Sequence, residues 1–125
     1  MNIPEELKYT KDHAWVRVDE NTAIIGITDF AQGELGDIVF VDVDSVEDTL
    51  KAGEVYGSVE AVKTVSDLYL PVSGKIIEFN QSLEDEPELI NTEPYGKGWI
   101  IKLQIEEGAD LSGLLTDKQY QEVIG

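Results

Sequence analysis

Apolar residues recur at every second position in several short stretches of this chain, a period that β-strand side chains keep and helical ones lose. Trp99, Ile101, Leu103 and Ile105 share one face of such a stretch, with Lys102 and Gln104 on the other. Val55, Gly57 and Val59 alternate with Glu54, Tyr56, Ser58 and Glu60, predicting a half-buried strand. Ala14 to Val18 and Ala23 to Ile27 are β-rich runs, and the spacer Asp19-Glu20-Asn21-Thr22 reads as the turn of a hairpin. Leu68-Tyr69-Leu70, stopped by Pro71, and Ile76-Ile77-Glu78-Phe79, after the turn Val72-Ser73-Gly74-Lys75, continue the pattern. Ile38-Val39-Phe40-Val41 is apolar throughout, which predicts a strand covered on both faces.

Helical signals are few and local. Asp29-Phe30-Ala31-Gln32 matches a capping box with Asp29 as the cap, and Gly36 can end that short helix. Thr116-Asp117-Lys118-Gln119 is a second box, followed by Tyr120, Val123 and Ile124 at the spacing of a docking face. Asp42, Asp44, Glu47 and Asp48 form an acidic loop before the turn Lys51-Ala52-Gly53, and Glu84 to Glu88 is a solvated charged stretch. No linker or low-complexity segment divides the 125 residues. The expectation is one mainly β domain over residues 1–125, a compact sandwich or barrel with helical additions.

Composition removes whole classes of chemistry. Twenty-six Asp and Glu against nine Lys and Arg leave a formal charge of −17. Phosphate-backbone binding needs cations to displace counterions, so nucleic acid is not an expected partner. The chain has no Cys and one His, which excludes disulfides, thiolate sites, a Cys nucleophile and a His-based metal cluster. No G-x-S-x-G or complete phosphate loop occurs. No apolar run approaches the ~20 residues of a membrane span, and the first residues carry neither a basic start nor an apolar h-region. A cytoplasmic, non-catalytic protein is expected, working with borrowed chemistry.

Glu60-Ala61-Val62-Lys63-Thr64-Val65-Ser66-Asp67 joins two strand-like runs without Gly, Pro or Asn. Ordinary hairpin turns lean on those residues for their positive-φ positions, so the connection is unusual. Composition alone makes its one cation, Lys63, a surface lysine on a loop.

The wider pattern adds more. Gly57 to Tyr69 followed by Pro71-Val72-Ser73-Gly74 resembles the lipoyl-attachment segment of glycine cleavage system H proteins. Lys8-Tyr9-Thr10, His13, Trp15, Gly26-Ile27-Thr28-Asp29, Ala31-Gln32 and Leu35-Gly36-Asp37 fit that family's opening half. Glu86 to Asn91, Pro94-Tyr95 and Gly98-Trp99 fit its closing half, so the likeness runs from about Leu7 to Tyr120. It implies a barrel-sandwich hybrid with short helices and a C-terminal helix. It also implies a carrier, with lipoic acid joined by an amide to Lys63 at a hairpin tip. The implied partners are a pyridoxal-phosphate glycine decarboxylase, a tetrahydrofolate-dependent aminomethyltransferase, dihydrolipoyl dehydrogenase and the lipoyl-attaching enzymes. A tethered arm raises effective concentration at each partner site and supplies the thiol chemistry the chain lacks.

One position departs from the family. Where its members usually read His-Glu-Trp, this chain has His13-Ala14-Trp15. In relatives that Glu lies in a cleft sheltering the loaded arm, where it can pair with the cationic amine. If the stretch is extended, Asp12 falls on the face of position 14 and can take over; Asp67, near Lys63, is the second candidate. The departure also gives weight to a related carrier that relays lipoyl groups to oxo-acid dehydrogenases or another lipoate-dependent pathway. A biotin carrier fits less well, because Val62 and Thr64 flank the lysine where such domains carry Met.

Overall fold

The computed structural model describes residues 2–125. β1 (Lys8–Tyr9), β2 (Ala14–Asp19) and β3 (Thr22–Ile27) open the chain, and pairing of Asp19 with Thr22 leaves Glu20-Asn21 as the hairpin loop. Helix α1 (Asp29–Leu35) leads to β4 (Ile38–Asp42) and β5 (Thr49–Leu50). A second hairpin, β6 (Val55–Ala61) and β7 (Val65–Tyr69), precedes β8 (Gly74–Phe79). Single-turn helices α2 (Ser82–Asp85) and α3 (Leu89–Thr92) follow, then β9 (Ile101–Ile105) and the terminal helix α4 (Asp117–Ile124).

One sheet runs β1-β2-β3-β9-β8-β5 and the other β4-β6-β7, and every pairing is antiparallel. The larger sheet sends Ile25, Ile76, Ile101 and Leu103 into the same core that Val41, Val59 and Leu68 enter from the smaller one. A separate cluster of Leu7, Tyr9, Trp15 and Tyr120 fixes α4 to the first strands, with the Tyr9 and Tyr120 rings stacked at 4.9 Å. The predicted mainly β sandwich with short helices and a C-terminal helix is the fold found. No helix among the described residues is long and apolar enough to cross a membrane.

The structure corrects the sequence reading at four places. Thr28, not Asp29, caps α1: its Oγ1 accepts from the Ala31 amide, while Gln32 bonds the Asp29 side chain rather than the cap backbone. β4 is covered on one side only, because a register shift between Ile38 and Phe40 leaves Val39 and Phe40 about half exposed. A second bulge between Val55 and Gly57 inverts the start of β6, so Tyr56 enters the core and Val55 faces outward. Bulges of this kind re-aim side chains against the strict period of two. In α4 the capping box forms as expected and Tyr120 is buried, but Val123 stays exposed.

Candidate functional site

The β6–β7 hairpin turns through Val62-Lys63 at its tip, with the Ala61 amide donating to the Thr64 carbonyl. No residue of this tip adopts a positive φ, so the turn is not of the twisted kind that hairpins favour. A tether from outside the hairpin holds it: the Val62 amide donates 3.1 Å to the Asp37 carbonyl, just past α1. Val62, Lys63 and Val65 are exposed, Val62 to 75%. The stem of Lys63 passes over Gly36, where a Cβ would lie 3.3 Å from Lys63 Cε. Gly36 has φ 82° and ψ −157°, a combination open essentially to glycine alone.

Beside this tip lies a cleft of about 360 Å³. Its walls come from the turn before β2 (Asp12, His13) and the first residue of β2 (Ala14), from α1 and from β7 (Ser66 to Tyr69), with Tyr56 and Val59 of β6 between them. Phe30 and Glu34 are four residues apart on α1 and share one helical face, and both line the cleft. Ile27, Ala31, Leu35 and Leu68 make its lining largely apolar, while Asp12, Glu34 and Asp67 add carboxylates. These three side chains form no hydrogen bond or ion pair with other described residues. A slender apolar chain with a cationic end fits such a space.

His13 forms part of the wall under constraint. Its φ is 67°, outside the strand region, which breaks the alternation that would carry Asp12 onto the face of Ala14. Asp12 nevertheless reaches the same cleft as Ala14. The His13 Nδ1 lies 2.8 Å from the Tyr120 hydroxyl, which in turn lies 2.7 Å from Thr28 Oγ1. The His13 ring also packs against Phe30, with ring centroids 5.0 Å apart. Burial pushes the His13 imidazole below its ordinary protonation range, and the nearby Asp12 and Glu34 carboxylates partly oppose that shift. Trp15 lies outside the cleft, fully buried, and its indole N–H donates 2.8 Å to the Pro94 carbonyl.

The structure thus brings Asp12 and Asp67 into one cleft with Ala14 and sets Lys63 next to it. Glu34, Phe30 and Tyr56 were not among the residues that the sequence singled out. The Phe30–Glu34 spacing was a usable signal for the helix face, whereas nothing local announces the bulge that turns Tyr56 inward.

A family model described as Glycine cleavage H-protein matches residues 7–125. The glycine cleavage system H protein of Staphylococcus haemolyticus (strain JCSC1435) is 54% identical over 125 residues, covering 100% of this chain and 99% of that protein. The protein of the same name from Staphylococcus saprophyticus subsp. saprophyticus is also 54% identical over 125 residues, with the same coverage. A crystal structure of a glycine cleavage system H protein from Mycobacterium marinum superposes with a TM-score of 0.88 at 40% identity, covering 96% of this chain and 97% of that one. With a fold shared at that level and a tip lysine poised beside an apolar cleft, the chain belongs to the glycine cleavage H-protein family.

Proposed function

We propose that Lys63 bears the lipoyl group of this carrier, in amide linkage, and that the cleft beside it receives the arm. The observation that carries this reading is the placement of one exposed lysine on a tethered hairpin tip, with its stem crossing Gly36 at the edge of an apolar cleft. Acylation removes the ammonium charge of Lys63, so the stem of the arm can lie along Leu35 and Leu68 without burying an ion at the lysine. When bound, the group would supply a disulfide whose opening accepts the aminomethyl unit of glycine on one sulfur and leaves the other as a thiol, the dithiol that remains after transfer being reoxidised.

The chain itself binds, orients and shelters. Asp12 and Asp67, with Glu34, offer carboxylates to the amine of the loaded arm, the task that Ala14 leaves undone. Ile27, Ala31 and Phe30 exclude water from the stretch between tip and amine. No residue here needs to move a proton, which supports a non-catalytic carrier formed by residues 1–125 as one domain. Its partners in this reading are the pyridoxal-phosphate glycine decarboxylase, the aminomethyltransferase, dihydrolipoyl dehydrogenase and a lipoyl-attaching enzyme, all in the cytoplasm.

Peptide mass mapping of protein from its native cells tests the assignment. One lipoyl adduct per chain, confined to the peptide containing Lys63, is the expected result. An adduct on Lys51 or Lys75 instead, or none, would overturn it.

A further inference from the structure

Tyr56 is 2% exposed, yet its hydroxyl has no hydrogen-bond partner among the described residues, and burial alone raises its phenol's pKa. A phenol enclosed in this way without a partner is costly, and such groups are nearly always paired. No fully enclosed polar side-chain atom in the described residues lacks a partner, so the oxygen of Tyr56 is not sealed off. The space that its side chain lines is the cleft. The bulge at Val55/Gly57 is what brings it there, since strict alternation would have left it on the outer face.

We propose that the Tyr56 hydroxyl is a binding group for the arm, placed to accept a hydrogen bond from the amine of the loaded form and to disfavour entry of the oxidised, unloaded form. This rests on the carrier reading of Lys63. The two states differ in what they present to the phenol. A dithiolane carries no donor, so its entry would displace water from the hydroxyl and leave it unpaired. The aminomethyl ammonium carries N–H donors that replace that water. A site built to pair a polar group rejects the analogue lacking it because its own buried group is then orphaned. Tyr56 therefore makes the cleft read whether the arm is loaded.

The variant is Tyr56→Phe, which removes the oxygen and keeps the ring. Carrier loaded from glycine by the decarboxylase, then separated from it, decays by hydrolysis. Water is consumed, the carbon–sulfur bond breaks, formaldehyde and ammonium leave, and the sulfur keeps a proton as thiol. Tyr56→Phe should shorten the half-life of the loaded form by about ten- to a hundredfold, the loss of one hydrogen bond to a charged donor. In the unlipoylated protein the same change should leave the urea midpoint unchanged or raise it, since no folded-state hydrogen bond is lost. Ring-labelled NMR should show the Tyr56 signals shifting on loading and not on attachment of the oxidised arm.

An unchanged half-life, or Tyr56 signals that move equally in both forms, overturns the proposal. So does a lowered urea midpoint without lipoate, which would mean that the hydroxyl serves the fold. Absence of any adduct at Lys63 would instead remove the carrier reading itself, and the mass of the starting protein separates the two failures.

Discussion

His13 and Tyr120 stand 107 residues apart in the chain and 2.8 Å apart in the fold, joining the cleft wall to the terminal helix. The same phenol reaches Thr28, the cap of α1. One hydroxyl thus ties together α4, the turn before β2 and the helix that forms the facing wall. Tyr120→Phe keeps the stack on Tyr9 and removes this tie. Leaving the partly buried His13 nitrogen and the buried Thr28 hydroxyl without it should cost about 1–3 kcal/mol. The check is the urea midpoint at unchanged m-value; an unshifted midpoint would show that water substitutes for the phenol.

The His13 imidazole gives the chain a pH-dependent element with a defined sign. Burial holds its folded-state value below the ordinary 6.5, against the pull of Asp12 and Glu34. The unfolded chain therefore takes up the proton first as pH falls. Stability from this group is complete above about pH 6.5 and declines as pH drops from there through the lower folded value. NMR titration of the imidazole should give a midpoint below 6.5. Glu34→Gln removes one of the opposing carboxylates and should lower that midpoint further. An unchanged midpoint in Glu34→Gln would place Glu34 away from the histidine.

The elements that the sequence reveals are those decided by neighbours in the chain. The Asp19–Thr22 hairpin and the Thr116 box depend on a few adjacent residues, and both appear where expected. The bulges of β4 and β6 depend on the strand opposite. Gly57 shows why: a Cβ there would collide with the Asp42 backbone carbonyl and approach Val43 Cγ2 to 2.8 Å, a constraint no local pattern displays. The cleft lay further out of reach, since its walls come from three separated segments. The lysine at the tip was legible only by likeness to a family. Its turn lacks turn residues because the Asp37 carbonyl, distant in the chain, holds it.

Lys63→Arg separates carrier activity from folding. Lys63 is exposed and takes part in no ion pair among the described residues, so stability should stay within about 0.5 kcal/mol of the parent. A guanidinium keeps the charge but offers no amine to acylate. Intact mass after incubation with a lipoyl-attaching enzyme should show no adduct, and glycine decarboxylation and exchange should fall to background. Wild-type exchange in this variant would mean that another residue carries the arm.

Gly36 links the shape of the backbone to the freedom of the arm. Its amide closes α1 by donating 2.9 Å to the Gln32 carbonyl, and its carbonyl accepts 2.9 Å from Asn91 Nδ2. Both bonds fix the conformation at φ 82°, so an alanine there cannot relax away from it. Gly36→Ala should cost about 1–3 kcal/mol on backbone strain alone. The added methyl would also meet the Lys63 stem at 3.3 Å, closer than ordinary contact, and crowd the root of the arm. Lipoyl attachment, measured well below the unfolding transition, should therefore slow by more than the unfolded fraction explains. Gly53→Ala is the control, because φ 91° strains it similarly while open space surrounds its Cβ. Equal loss of stability in the two variants, with slower attachment in Gly36→Ala alone, would locate the effect at the lysine stem. Equal slowing in both would assign it to lost stability.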